Sequence, residues 1–154
     1  MKRSMTIAAL VLGAAVAGTS ALAADRASTK EAEAMVKKGV AYVKAHPREK
    51  AMADISNKKG EFVDRDLYLT VYTMDGVCLA HGANEKMIGK NNMSMRDMDG
   101  KEFFRERFDL AKVKDSFWQD YKFADPLTRK IEPKQMYCER AGELVVCGGV
   151  YKPA

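Results

Sequence analysis

Two short groups of residues in the 154-residue chain carry side chains that could bind a metal ion. Cys78 and His81 form a Cys-x-x-His pair. Met93, Met95 and Met98 form a Met-x-Met-x-x-Met series, and soft sulfur ligands suit monovalent copper. The pair is a weak motif, because residues three apart on a regular strand point to opposite faces. A copper-binding or redox-responsive protein is therefore one alternative, and packing of the methionines in an apolar core or lid is the other.

Residues that could catalyse a reaction are scarce. The chain has only two histidines and contains neither a Gly-x-Ser-x-Gly nucleophile elbow nor a phosphate-binding glycine loop. One of them, His46, precedes Pro47 at an expected helix break, where a solvated or capping role is typical. We therefore expect a protein that is not an enzyme and needs no cofactor.

The cysteines allow one predicted disulfide. If Gly142-Glu143 is a two-residue turn between strands, Cys138 lies directly opposite Cys147. Neighbours of this kind can form a disulfide in an oxidising compartment, provided that the register is not shifted by one residue. We predict a Cys138–Cys147 bridge, with Cys78 free and buried.

An antiparallel sheet is expected to position these residues. Apolar residues alternate with polar or aromatic ones over residues 67–72, and Asp75-Gly76 turns the chain into a second run, residues 77–81. An aromatic run ends at Asp125-Pro126, and two further runs flank residues 141–143. The pattern predicts a five-stranded antiparallel sheet.

Helices are predicted before and within this sheet. Ser28 and Glu31 have the spacing of a capping box, which starts a long N-terminal helix. This helix ends before His46-Pro47, because proline disfavours helical geometry in the preceding residue, and a second short helix follows. A third helix is predicted over residues 101–114, between the second and third strands, with Phe104 on its apolar face.

The N-terminus has the pattern of an export signal. Lys2 and Arg3 precede an apolar stretch, and Ala21-Leu22-Ala23 places small residues where signal peptidase reads them. We predict that residues 1–23 are a cleaved signal peptide and that residues 24–154 form one periplasmic domain. Cleavage one residue later, or retention as a membrane anchor, are the alternatives.

The charge distribution gives little support for nucleic-acid binding. Loss of the two basic residues of the export signal would lower the formal net charge from +5 to +3. The remaining basic residues are interspersed with acidic ones rather than gathered into a stripe. At most, the bias favours a weak attraction for small anions.

The order of these elements resembles the single Cache domain, a PAS-like extracellular sensor module of bacterial chemoreceptors and sensor kinases. Leu79-Ala80-His81 and Ile88-Gly89-Lys90-Asn91 are similar to segments of that family, although Gly82 stands where the family usually has proline. The resemblance covers nearly all of the predicted mature chain. It implies an α+β, PAS-like fold.

The resemblance also implies a ligand pocket framed by the aromatic strand and by the strand that starts at Pro133-Lys134. A pocket with tyrosine hydroxyls, an ammonium group and apolar walls suits a short carboxylate. We predict Lys134 as the anion partner and Tyr121 and Tyr137 as hydroxyl donors. The remaining candidates are wall residues and one histidine with a structural or ligand-contacting role: Trp118, Phe123, Tyr72, Phe104 and His81. An ordinary hairpin with solvent-facing lysines is the alternative.

The sequence therefore predicts a soluble periplasmic Cache protein that binds a small organic acid or a similar metabolite. No membrane helix, HAMP segment or kinase region follows the predicted domain in this sequence, so we expect a separate membrane receptor or kinase to act as partner. A structural interaction module, whose pocket is filled by its own side chains, is the remaining alternative.

Overall fold

The computed structural model describes residues 25–152, so the predicted signal peptide and its cleavage site lie outside the described residues. The helices are α1 (Thr29–Ala45), α2 (Arg48–Ser56) and α3 (Phe103–Val113), with a short 3₁₀ turn at Glu85–Met87. The strands are β1 (Val63–Asp64), β2 (Leu67–Thr73), β3 (Cys78–His81), β4 (Ser116–Ala124), β5 (Ile131–Ala141) and β6 (Leu144–Tyr151). Among these residues, no helix is both long and apolar enough to cross a membrane.

The strands form one antiparallel sheet in the order β1-β2-β6-β5-β4, and β3 pairs with β2. Since β6 occupies one edge of β2, β1 and β3 share the other edge. The five predicted strands and the α+β class are confirmed. The two-residue β1 is an addition that alternation could not reveal, because two residues are too few to show a period.

The N-terminal helix begins as predicted. The Ser28 hydroxyl accepts a hydrogen bond from the Glu31 backbone N–H, and the Glu31 carboxylate accepts one from the Ser28 N–H at 2.6 Å. This reciprocal pair is the capping box. Farther along α1, Gly39 allows close approach to the sheet, since a Cβ there would clash with the Leu69 side chain.

The two faces of the sheet carry different cores. One face packs against α1 and is aliphatic, with Val36, Leu69 and Val146 fully buried. The other face packs against α3 and is aromatic, with Phe104 and Phe108 fully buried. The aromatic face holds most of the polar buried side chains, and the candidate site lies there.

The bulge in β3 corrects one expectation. Val71 pairs with Ala80 but Tyr72 pairs with Cys78, so Leu79 is an extra residue without a partner. The prediction that Cys78 and His81 point to opposite faces is wrong, because the bulge adds one residue to the alternation. Both side chains lie on the aromatic face.

The last hairpin has the predicted register. Gly142 takes a φ of +66°, and Cys138 pairs with Cys147 across β5 and β6. The two sulfurs are bonded, whereas Cys78 is free and buried, which confirms the predicted pairing.

Removing this disulfide should lower stability moderately. The bridge spans a sequence separation of only 9 residues, so it restricts the unfolded chain over a short loop. We expect the Cys138→Ala/Cys147→Ala variant to lose about 2 to 3 kcal/mol of unfolding free energy. Denaturant unfolding with and without reductant measures the loss. A reductant that destabilises the variant as much as the wild type would show that the effect does not come from this bridge.

Candidate functional site

Buried polar side chains gather between the sheet and α3. They surround an inner cavity of about 10 Å³, a volume that just admits one water molecule. Its lining is aromatic, polar and thioether: Tyr68, Thr70, Tyr72, His81, Met87, Phe103, Phe104, Arg107, Tyr121, Phe123 and Met136.

An outer pocket of about 430 Å³ lies beside the inner cavity. Tyr68, His81 and Phe123 line both spaces and therefore form the partition between them. Several charged side chains line the outer pocket: Lys58, Lys86, Arg129, Glu85 and the buried Asp125. Larger grooves elsewhere, such as one of about 490 Å³ along the exposed side of α3, are lined mainly by exposed, ion-paired residues and contain no buried cation.

Arg107 is the most unusual residue of the site. It is fully buried on α3, four residues after Phe103 and four before Ala111, in the middle of the apolar face. Its guanidinium carbon lies 4.8 Å from the centre of the Phe104 ring and 5.2 Å from that of Tyr121. Among the described residues no carboxylate lies within ion-pairing distance, and Nη2 has no hydrogen-bond partner. A buried guanidinium with a free N–H group has the chemistry to form a charge-assisted hydrogen bond with an anion.

Gln119 holds Arg107 in place. Its side-chain nitrogen donates to the Phe103 carbonyl at 2.7 Å and to the Glu106 carboxylate at 2.8 Å. This fixes its oxygen toward Arg107, whose Nε donates to it at 3.1 Å. The guanidinium is thus oriented by a neutral group rather than neutralised by a charged one.

Lys134 is the second buried basic side chain of the site, with 1% of its surface exposed. Its Nζ donates to the hydroxyl of Tyr68 at 2.9 Å and to that of Tyr151 at 3.2 Å. The Tyr151 hydroxyl in turn donates to the Ala124 carbonyl at 2.7 Å. Burial, reinforced by the charge of Arg107, lowers the pKa of Lys134 well below its usual range.

Two buried carboxylates lie near Lys134, but both are engaged elsewhere. Arg26 Nη1 lies 3.2 Å from Asp66 Oδ2 and 2.6 Å from Asp125 Oδ2. Asp66 also accepts hydrogen bonds from the backbone N–H of Ala27 at 2.8 Å and of Tyr151 at 3.4 Å. These contacts tie the segment before α1 to the ends of β2, β4 and β6.

His81 supplies a neutral donor to the site. Its Nδ1 accepts hydrogen bonds from the backbone N–H groups of Ala83 at 3.2 Å and Asn84 at 3.0 Å. In the neutral ring Nε2 must then carry the proton. Burial, followed by the charge of Lys134, lowers the pKa of His81 to about 3, so the ring stays neutral at physiological pH.

This burial makes stability depend on pH. Unfolded His81 binds a proton near pH 6.5, whereas the folded ring does not until about pH 3. Its contribution is therefore complete above about pH 6.5 and is lost as the pH falls. We expect about 2 kcal/mol of unfolding free energy to disappear between pH 7 and pH 5 through this residue.

The pH dependence can be assigned with one variant. His81→Asn keeps a side-chain acceptor for the two backbone N–H groups but cannot titrate. Urea unfolding at pH 7, 6 and 5 should show a smaller loss of stability in the variant than in the wild type. Equal losses in both proteins would exclude His81 as the cause.

The structure brings six of the predicted ligand-binding residues to one side of the sheet. They are Lys134, Tyr121, Phe123, Tyr72, Phe104 and His81. Tyr121 is the cross-strand neighbour of Lys134, and its hydroxyl donates to Met136 Sδ at 3.5 Å.

Two predicted residues lie on the opposite face. Trp118 and Tyr137 are cross-strand neighbours with ring centres 5.1 Å apart, and they pack against the α1 core. The Tyr137 hydroxyl donates to the Glu139 carboxylate at 3.2 Å. Strand alternation separates them from the cavity, so we leave both out of the proposed site.

The three methionines of the Met-x-Met-x-x-Met series differ in how far they are buried. Met93 and Met95 pack against the aromatic core, whereas Met98 is 68% exposed. Residues 25–152 contain no group of three His, Cys, Asp or Glu side chains that could hold a metal ion. Burial raises the pKa of the Cys78 thiol to about 11, which disfavours the thiolate needed for metal binding.

Sequence reasoning missed Arg107, Gln119, Tyr68 and Tyr151. For Arg107 a signal was present, since a charged residue at the centre of an apolar helical stripe is out of place unless it has a role. The two tyrosines gave no comparable signal, because aromatic residues are common in strands.

The chain belongs to the Single Cache domain 2 family, whose sequence profile matches residues 22–151. Members of this family are sensor and ligand-binding domains, and the fold and the buried site agree with that class. Among curated protein sequences, none matches this chain significantly.

Solved structures with the same fold come from chemotaxis sensors. A methyl-accepting chemotaxis protein from Vibrio parahaemolyticus RIMD 2210633 is similar with a TM-score of 0.69 and 22% identity, over 79% of this chain and 86% of that one. A Cache chemosensory domain studied for carboxylic acid recognition gives a TM-score of 0.67 and 20% identity, over 79% and 91%. A periplasmic sensor domain of a chemotaxis protein gives 0.62 and 20%, over 79% and 88%.

Proposed function

We propose that this protein is an exported Cache sensor that binds a small organic acid between its sheet and α3. The ligand carboxylate is received by Arg107 and Lys134. The observation that carries the proposal is the fully buried Arg107, whose Nη2 has no partner beside a cavity. A carboxylate would satisfy this donor with a charge-assisted hydrogen bond.

The walls of the inner cavity define the rest of the ligand. Phe103, Phe104, Met87 and Met136 offer apolar surface next to the guanidinium. Such walls exclude water from the ion pair and strengthen it, because the local dielectric is low. They suit a short hydrocarbon stem rather than a second charged group.

The acid needs a route to the buried cations. An inner cavity of about 10 Å³ is smaller than any organic acid, so binding requires side chains to move. The partition of Tyr68, His81 and Phe123 is the proposed route, because it separates the cavity from the outer pocket. Lys58, Lys86 and Arg129 at the rim attract anions toward this entrance.

Two further observations support the proposal. A structure with the same fold was studied for carboxylic acid recognition, and another is a periplasmic sensor domain. The basic and apolar pattern of residues 1–23 favours export. A separate membrane receptor or kinase is the expected partner that would carry the signal inward.

A thermal-shift screen tests the function directly. Acetate, propionate, lactate and pyruvate are compared with neutral analogues such as acetamide and propionamide, and with malonate, amino acids and Cu(I). A ligand that binds only the folded state raises the melting temperature, so we expect shifts with monocarboxylates and none with the amides.

The other outcomes of the screen identify the alternatives. A shift with Cu(I) alone, lost in Met93→Leu and Met95→Leu variants, would favour the copper-binding protein. Absence of any shift would favour an interaction module whose cavity is filled by its own side chains.

A further inference from the structure

We propose that the site takes up one proton from solvent with each monocarboxylate that it binds, and that Lys134 Nζ receives this proton. The inference rests on the proposed function and adds that ligand binding is coupled to proton uptake and therefore depends on pH. The charge balance of the site also favours the binding of monocarboxylates over dicarboxylates. The inference follows from the contacts of Lys134 and from the charges around it.

The hydrogen bonds of Lys134 do not require an ammonium group. Its Nζ donates to the hydroxyls of Tyr68 and Tyr151, and a neutral amine has two N–H groups for this purpose. No carboxylate of the described residues forms an ion pair with it, although the side chain is 1% exposed. A charge at this position is therefore stabilised only by tyrosine rings and hydroxyls, and by more distant charges.

Every element around Lys134 contributes a titratable or charged group. The groups that remain neutral are Tyr68 on β2, His81 on β3, Tyr121 on β4 and Tyr151 on β6. Burial raises the pKa of each of these tyrosines and lowers that of the histidine, so none of them carries charge near neutral pH. The charged groups that act on Lys134 are Arg107 on α3, Asp66 before β2 and Asp125 after β4.

These charges balance when Lys134 is neutral. Arg26 and Arg107 supply two positive charges, and Asp66 and Asp125 supply two negative ones. Glu106, which lies near Arg107, is paired separately with Lys101 at 2.8 Å. With a neutral Lys134 amine the free site would hold no net charge, and burial, which lowers the pKa of Lys134, favours that neutral amine.

A bound carboxylate changes this balance. It brings one negative charge, and transfer of one proton from solvent to the Lys134 amine restores neutrality. The reaction forms one N–H bond at Nζ and leaves a carboxylate beside an ammonium and a guanidinium. A dicarboxylate would bring a second negative charge into the inner cavity, where the described residues offer no third buried basic side chain to receive it, and burying an unpaired charge is costly.

Calorimetric titration measures the proton directly. The tightest of acetate, propionate, lactate and pyruvate is titrated at pH 7, 8 and 9, each in two buffers with different ionisation enthalpies. We expect uptake to approach one proton per bound acid as the pH rises. Affinity should fall toward tenfold per pH unit over the same range. Malonate should bind at least about tenfold more weakly than propionate, since a buried unpaired charge costs well over the 1.4 kcal/mol that a factor of ten represents.

Variants assign the proton to its acceptor. Lys134→Met should show residual binding without proton uptake. Lys134→Arg, whose guanidinium is always charged, should bind without uptake, with thermal unfolding as the check on its fold. The exposed-site variant Lys130→Met should keep the proton uptake of the wild type.

The two proposals fail differently. Binding without proton uptake at every pH, or uptake that persists in Lys134→Met, would overturn the proton coupling and leave the proposed function intact. Absence of binding by all of the acids would overturn both.

Discussion

Replacing Arg107 with methionine is expected to weaken carboxylate binding by about a hundredfold, because a buried charge-assisted interaction of about 3 kcal/mol is lost. The protein should remain folded and no less stable. Arg107 is a fully buried cation without a carboxylate partner, so its desolvation opposes folding. Methionine retains apolar volume on the same helical face. Calorimetric titration and thermal unfolding of the same samples measure both effects.

Arg105→Met is the matched control for this variant. Arg105 lies on the same helix, but its side chain is 59% exposed and pairs with Glu102 on the surface. Its replacement should change affinity by less than about twofold, since surface ion pairs contribute little. Retained affinity in Arg107→Met would remove Arg107 from the site. Unfolding of that variant would give the arginine a structural role instead.

Lys134→Met is expected to lower affinity tenfold to a hundredfold at neutral pH, as loss of a charge-assisted bond costs about 1.5 to 3 kcal/mol. The fold should survive, because the hydroxyls of Tyr68 and Tyr151 lie 3.1 Å apart and can bond to each other. Titration with the acid that the screen identifies gives the affinity, and thermal unfolding checks the fold.

Two controls accompany this measurement. Lys130→Met removes an exposed lysine close to the start of the same strand, and Tyr137→Phe alters a hydroxyl on the α1 face. Neither should change affinity. Loss of binding in Tyr137→Phe with unchanged binding in Lys134→Met would place the ligand on the α1 face of the sheet and contradict the proposed site.

The sequence predicted those features that local patterns determine. The capping box of α1, the break at His46-Pro47 and the hairpin at Gly142 each depend on a few neighbouring residues. For the same reason the Cys138–Cys147 pairing followed from turn geometry alone. Such features require no knowledge of distant parts of the chain.

Features that depend on tertiary packing were harder to predict. Alternation separated Tyr121 from Trp118, but which face meets α3 is decided by contacts between distant elements. The bulge at Leu79 could not be read from its residues, and it reversed the expected relation between Cys78 and His81. Arg107 was recognisable only as a charge out of place on an apolar helix.

Asp66 has a mechanical consequence through its two backbone contacts. One of its oxygens binds the N–H of Ala27, and the other binds the N–H of Tyr151, so a single carboxylate fastens both terminal segments of the described domain. A pulling force on either terminal segment would therefore also act on the other segment through Asp66. The Tyr151 hydroxyl also accepts a hydrogen bond from Lys134 Nζ. Tyr151 therefore belongs both to the contact with Asp66 and to the proposed ligand site. Detaching the C-terminal segment would therefore displace the tyrosine that contacts the buried lysine.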